Sequence, residues 1–152
     1  FVTKKIVSAL CKIKEGKQKK LFLGNLNSKR DWGHAEDYCY AMWKILQQKK
    51  PDDYVIATGV QYSIKEFVNL TAKKIKLKIK WKGKGLKEKA FDKNNFPIIE
   101  CDKNYFRPLD VNTLLGDSSK ARKKLKWKPT KNINHLIDEM IESEYRYLDA
   151  IK

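Results

Sequence analysis

A short apolar run, Leu21-Phe22-Leu23, ends at Gly24-Asn25. A polar loop carrying Lys29 and Arg30 then leads through Asp31-Trp32-Gly33-His34 into a helical period of apolar residues. Strand, loop, cationic pair and helix start, in that order, describe a loop at a sheet edge that meets an anionic ligand. An Arg placed there grips a phosphate through two parallel hydrogen bonds, a geometry that Lys does not offer. The same residue types also describe a solvated surface turn, so residue type alone leaves both readings standing.

The flanking segments alternate helices with short strands. Val2, Ile6, Val7, Leu10, Cys11 and Ile13 recur at a helical period over residues 1–14, and Gly16 is the breaker. Residues 19–24 read as a strand. Ala35, Tyr38, Cys39, Met42, Trp43, Ile45 and Leu46 give a helix over 34–48 a broad apolar face. After a Pro51-Asp52-Asp53 turn, 54–57 is expected as a short buried strand. Ser63 and Glu66 form a capping box for a helix over 64–75.

Residues 76–82 alternate Lys with Leu77, Ile79 and Trp81, the pattern of a strand with one wet face. Residues 83–95 read as a mobile loop and 97–100 as another strand. Asp117-Ser118-Ser119 opens a short helix to Leu125. Thr130 or Asn132 caps a last helix carrying Ile133, Leu136, Ile137, Met140, Ile141 and Tyr145. The expectation is one α/β unit, mostly helical with short strands.

At 152 residues, 41% of them hydrophobic, the chain is long enough for a real core. Its formal charge of +16 raises nucleic acid as a partner. Lys is spread through almost every segment instead of forming a stripe, so most of this charge reads as solvated surface and we expect no nucleic-acid partner. Cys11, Cys39 and Cys101 are far apart with no CxxC pair, and with His34 and His135 they make no zinc constellation. Reduced thiols in the cytoplasm are the default. No run reaches the length of a membrane span. The chain opens at Phe1, without Met, inside a helical pattern, and we read it as a fragment.

Longer phrases go further. Leu23-Gly24-Asn25-Leu26, Lys29-Arg30-Asp31-Trp32-Gly33-His34-Ala35, Asp52-Asp53-Tyr54-Val55-Ile56-Ala57-Thr58-Gly59 and Tyr105-Phe106-Arg107-Pro108 occur in that order. Leu115-Gly116-Asp117, Lys120-Ala121 and Leu125-Lys126-Trp127-Lys128-Pro129 follow. Together they resemble the C-terminal half of the GDP-mannose 4,6-dehydratase family, within the extended short-chain dehydrogenase/reductases that act on nucleotide sugars. The resemblance implies a Rossmann-type enzyme of which residues 1–152 are the substrate-binding portion, the NADP-binding portion being absent. It implies a hydro-lyase that oxidises the mannose 4-hydroxyl with bound NADP, eliminates water across C5 and C6 and returns the hydride to C6. The product, GDP-4-dehydro-6-deoxy-mannose, leads to GDP-fucose and related sugars. The substrate this resemblance implies is GDP-mannose, and family members are usually dimers or tetramers.

The same resemblance implies substrate contacts by Val2 and Lys5, a diphosphate clamp made by Arg30 and Arg107, and an acid at Asp110 for the ribose. The family usually has Glu at the last position and often Arg at Lys4. Its catalytic Tyr-x-x-x-Lys pair, Ser or Thr, and Glu belong upstream of Phe1, so the chain alone is expected to be inactive. Seven Gly occur without a GxGxxG arrangement. Tyr40 and Lys44 have the YxxxK spacing, but they fall in the helix after Arg30-Asp31-Trp32 and are read as ordinary helix residues. Asp31 and Asp37 are expected to hold backbone, His34 to cap or pack at a helix start, and the four Trp to be core or base-packing surface. Two other readings stay open: another nucleotide-sugar epimerase or dehydratase, and a basic module whose nucleic-acid affinity falls with salt and ignores GDP.

Overall fold

A computed structural model of the chain describes residues 1–106 and 111–150. The sequence pattern suggested one unit, but the chain packs as two. The first is formed by Phe1–Ser28, Ser63–Asn112 and Ile137–Lys152, the second by Lys29–Tyr62 and Thr113–Leu136.

In the first unit, α1 (Val2–Lys14) buries Ile6, Val7, Ala9, Leu10 and Cys11 along one stripe and packs against α3 (Ile64–Lys74). Ser63 caps α3 as its sequence signature required: the Ser63 side chain accepts from Glu66 N, and the Glu66 carboxylate accepts from Ser63 N. A four-stranded sheet runs in the order β1 (Leu21–Leu23), β6 (Pro97–Cys101), β5 (Lys89–Phe91), β4 (Lys80–Lys82). β1 is parallel to β6, and the other two pairings are antiparallel. The register lines up Leu21, Ile99, Ala90 and Trp81 on the inner face and Phe22, Glu100, Lys89 and Lys82 on the outer one.

Glu100 thereby stands beside two cations, with Lys89 Nζ at 2.6 Å and Lys20 paired to its other oxygen. On α5 (Ile133–Ala150), Glu144 is buried and accepts from Lys4 Nζ at 2.6 Å and Ser8 Oγ at 2.7 Å. Burial pushes its carboxyl pKa up, but these two hydrogen bonds and the Lys4 charge outweigh burial and leave it below the ordinary value.

The second unit holds β2 (Lys29–Asp31) paired with β3 (Gln61–Ser63), α2 (Ala35–Leu46) and α4 (Ser119–Leu125). Its core is Ala41, Ala121, Leu125 and Trp127, with Tyr38, Ile45, Tyr54 and Ile56 packed on it.

Four expectations fail for identifiable reasons. Lys29 and Arg30 lie on a strand instead of in a loop. Residues 76 and 77 close α3 instead of opening a strand: Lys76 is left-handed (φ 57°), and Leu77 N donates to Ala72 O at 2.8 Å. Within the expected loop 83–95, Lys89–Phe91 is a strand, because β4 and β6 pair with it on both edges. Residues 54–57 carry no strand. Tyr54 and Ile56 pack inward while Val55 is 54% exposed, and among the described residues no backbone hydrogen bond pairs this segment with another.

Lys76 takes at its helix end the conformation that Gly16 takes after α1. Lys76→Gly should raise unfolding stability by about 0.5–1 kcal/mol in urea melts, since Gly carries no Cβ penalty there. Glu144, lowered in the folded state, contributes stability that is present above pH 4.5 and lost as pH falls through its folded value. Acid melts of Glu144→Gln should therefore be flatter below that pH than those of the unsubstituted chain.

Candidate functional site

Arg30 lies on β2 just ahead of two residues with different tasks. Asp31 accepts from Thr58 Oγ1 at 2.5 Å, Gly59 N at 2.8 Å and Thr58 N at 3.1 Å. The carboxylate thus holds the Thr58-Gly59 turn against the strand. Trp32, next in the chain, lines a cavity of about 150 Å³ with Thr58, Val60, Tyr62, Thr130 and Lys131. Arg30 itself is half-buried and donates from Nη1 to Lys29 O at 2.8 Å.

The turn from β2 into α2 is held in a similar way. His34 is the N-cap, its Nδ1 accepting from Glu36 N at 3.2 Å. Asp37 is buried and accepts from Thr130 Oγ1 at 2.6 Å and from the Thr130 and Lys131 amides, each at 3.0 Å. Trp127 Nε1 donates to Asp37 O at 2.9 Å. Burial pushes the Asp37 carboxyl up, and the three hydrogen bonds more than reverse it, so the pKa lies below the ordinary value. Asp31 and Asp37 therefore hold backbone, and His34 caps. Asn132, not Thr130, caps α5, its Oδ1 accepting from Asn134 N at 2.9 Å.

Val2 and Lys5 stand at the start of α1, both half-buried, in the first unit. The first turn of α1 carries no acid and no side-chain cap. Lys5 Nζ lies 3.4 Å from the centre of the Tyr105 ring. Lys4, where Arg is frequent in the family, is paired with Glu144. Arg30 belongs to the second unit, and Arg107 and Asp110 lie outside the described residues. Tyr40 and Lys44 form an exposed contact with the ammonium 5.1 Å from the ring centre, and Tyr40 stacks on Trp43. Trp127 is core, Trp81 is half-buried and Trp43 is exposed.

Residues 1–140 match the family model described as GDP-mannose 4,6 dehydratase. The chain belongs to the GDP-mannose 4,6 dehydratase family. It is 44% identical over 97% of its length to a GDP-mannose 4,6 dehydratase of Dictyostelium discoideum, spanning 42% of that protein. To a GDP-mannose 4,6-dehydratase of Vibrio cholerae serotype O1 it is 43% identical over 95% of its length, again spanning 42% of the relative. Among solved structures it resembles RMD from Pseudomonas aeruginosa complexed with NADPH, at 17% identity and a TM-score of 0.77, over 97% of this chain and 43% of that one. It also resembles a dTDP-glucose 4,6-dehydratase of Bacillus anthracis in complex with NAD, at 18% identity and a TM-score of 0.67, over 91% and 37% of the two chains. At these identities the likeness speaks for the fold, an α/β fold of Rossmann-type enzymes.

Within this GDP-mannose 4,6 dehydratase family member, spacing alone did not reveal the partners of the two aspartates. Thr58-Gly59 was legible only as part of a phrase, and Thr130 only as a candidate cap. Removing the Asp31 carboxylate leaves the Thr58 and Gly59 amides without their acceptor. Asp31→Ala should speed hydrogen exchange at both and cost about 2 kcal/mol of stability, the scale of hydrogen bonds to a charged group.

Proposed function

We propose that the chain is the nucleotide-sugar-binding portion of a GDP-mannose 4,6-dehydratase, the hydro-lyase that converts GDP-mannose to GDP-4-dehydro-6-deoxy-mannose and water. The observation that carries this reading is the 43–44% identity over 95–97% of the chain to proteins of that name. Arg30 and Arg107 are the diphosphate clamp. The rigidity of β2, locked by Asp31, supports the role of Arg30, because a guanidinium must be held in plane to grip two phosphate oxygens. Lys5, a cation at a helix start that has no acid to oppose an anion, and Val2 are carried over from the family resemblance as further substrate contacts. Asp110 is carried over from the family resemblance as the ribose acid, with a side chain one methylene shorter than the family's Glu.

NADP, when bound, accepts and returns the hydride of this reaction. The described residues do not fit it. The strand-to-helix turn at Gly33 lacks the glycine-rich sequence that lets backbone approach a pyrophosphate. α2 also opens with Glu36 and Asp37, which repel phosphate. We assign NADP binding, and the assembly into dimers or tetramers, to the share of the family's length that this chain does not span.

Titration calorimetry of the full-length polypeptide with GDP tests the clamp. Arg30→Ala should weaken GDP at least tenfold, the scale of a charge-assisted hydrogen-bond pair, and Arg30→Lys should recover little of it. Unchanged GDP affinity in Arg30→Ala would remove Arg30 from the site.

A further inference from the structure

We propose that Tyr105 is a positioning residue for the diphosphate site. Its ring sets where the Lys5 ammonium stands, and so ties the start of α1 to the segment that runs into Arg107. The inference rests on the role proposed for Lys5 above.

The segment ahead of Tyr105 is built to present that ring. Asp102 N donates to Leu23 O at 2.8 Å, carrying the β1–β6 ladder one residue further. The Asp102 side chain then accepts from Asn104 N at 2.8 Å. Tyr105 N and Phe106 N close a 3-10 turn over Lys103–Tyr105 by donating to Asp102 O and Lys103 O at 3.1 and 3.0 Å.

This turn comes down on the end of β1 at Gly24, and only glycine permits it. A Cβ on Gly24 would stand 2.1 Å from Tyr105 O and 2.8 Å from Tyr105 C, both backbone atoms that cannot swing aside. The backbone of Tyr105 is therefore held while its side chain is 53% exposed, an uneconomical use of a large ring if packing were its only task. What the ring does contact is a cation. Lys5 Nζ at 3.4 Å from the ring centre is well inside the range of a cation–π interaction.

A Lys side chain is long and flexible, and an anion that captures it must first restrict its rotamers. A ring beneath the ammonium restricts it beforehand. The contact uses one side of the ammonium and leaves N–H donors for phosphate oxygens. The ligand class is the diphosphate of a nucleoside diphosphate, and Tyr105 acts on it through Lys5.

The test is a double-mutant cycle in the full-length polypeptide, measuring GDP affinity by calorimetry together with KM and kcat for GDP-mannose. Tyr105→Leu should weaken GDP about threefold to fivefold, raise KM by the same factor and leave kcat unchanged. Tyr105→Phe and Tyr105→Trp, which keep an aromatic face, should remain within about twofold on the same scale. Lys5→Ala combined with Tyr105→Leu should be no weaker than Lys5→Ala alone. Losses that add independently, or a Tyr105→Phe as weak as Tyr105→Leu, would overturn the inference. If Lys5→Ala weakens GDP and Tyr105→Leu does not, the positioning role falls while the proposed site stands. If Lys5→Ala leaves GDP affinity unchanged, the role of Lys5 falls and this inference with it, and Arg30→Ala remains the separate measure of the clamp.

Discussion

The second unit depends on one buried carboxylate. Asp37 sits in the first turn of α2 and accepts from Thr130 and Lys131, while its own carbonyl accepts from Trp127. Four hydrogen bonds thus fasten the helix start to the segment between α4 and α5. Trp127, brought in by one of them, fills the core with Ala41, Ala121 and Leu125. The small side chains of Ala41 and Ala121 let two helices approach closely enough to enclose an indole. An unpaired buried carboxylate would be costly, so once the fold places Asp37 inside, the 130–131 backbone has to come to it.

Carboxylates serve the same end elsewhere, against an excess of lysine. Glu100 stands between Lys20 and Lys89 on the outer face of the sheet. Glu144 meets Lys4 with Lys12 near its other oxygen, and Glu88 meets Lys65 at 2.5 Å. Asp52 binds Lys120 and Lys124, which hold its pKa down to about 2. These pairings use individual ammonium groups to join segments distant in sequence. They leave the chain strongly basic, with lysine spread through almost every segment.

Local patterns were reliable where the interaction that makes an element lies within it. The α1 stripe, the Ser63–Glu66 capping box and the α5 period all appear as their spacing requires. Patterns failed where an element needs a neighbour. Residues 54–57 have a strand's composition, but a strand exists only when another backbone pairs with it. Residues 89–91 have a weak pattern and form a strand because β4 and β6 flank them. The broad apolar face expected of α2 divides in two: Ala41 and the half-buried Tyr38 and Ile45 face the core, while Tyr40, Met42, Trp43 and Leu46 stay exposed. A helical period cannot say which side of a doubly apolar helix will be covered.

The candidate site divides along the same line. Sequence by itself determined the family, because long phrases in order carry more information than any single residue type. It also determined that the chain lacks a GxGxxG turn of the dinucleotide-binding kind. Only the tertiary structure decided that Asp31 closes on Thr58 and Gly59, that Asp37 closes on Thr130 and Lys131, and that Lys5 stands over Tyr105. Those contacts join residues from 27 to 100 positions apart. No periodicity links such residues, and they meet because helix and sheet packing closes the chain between them.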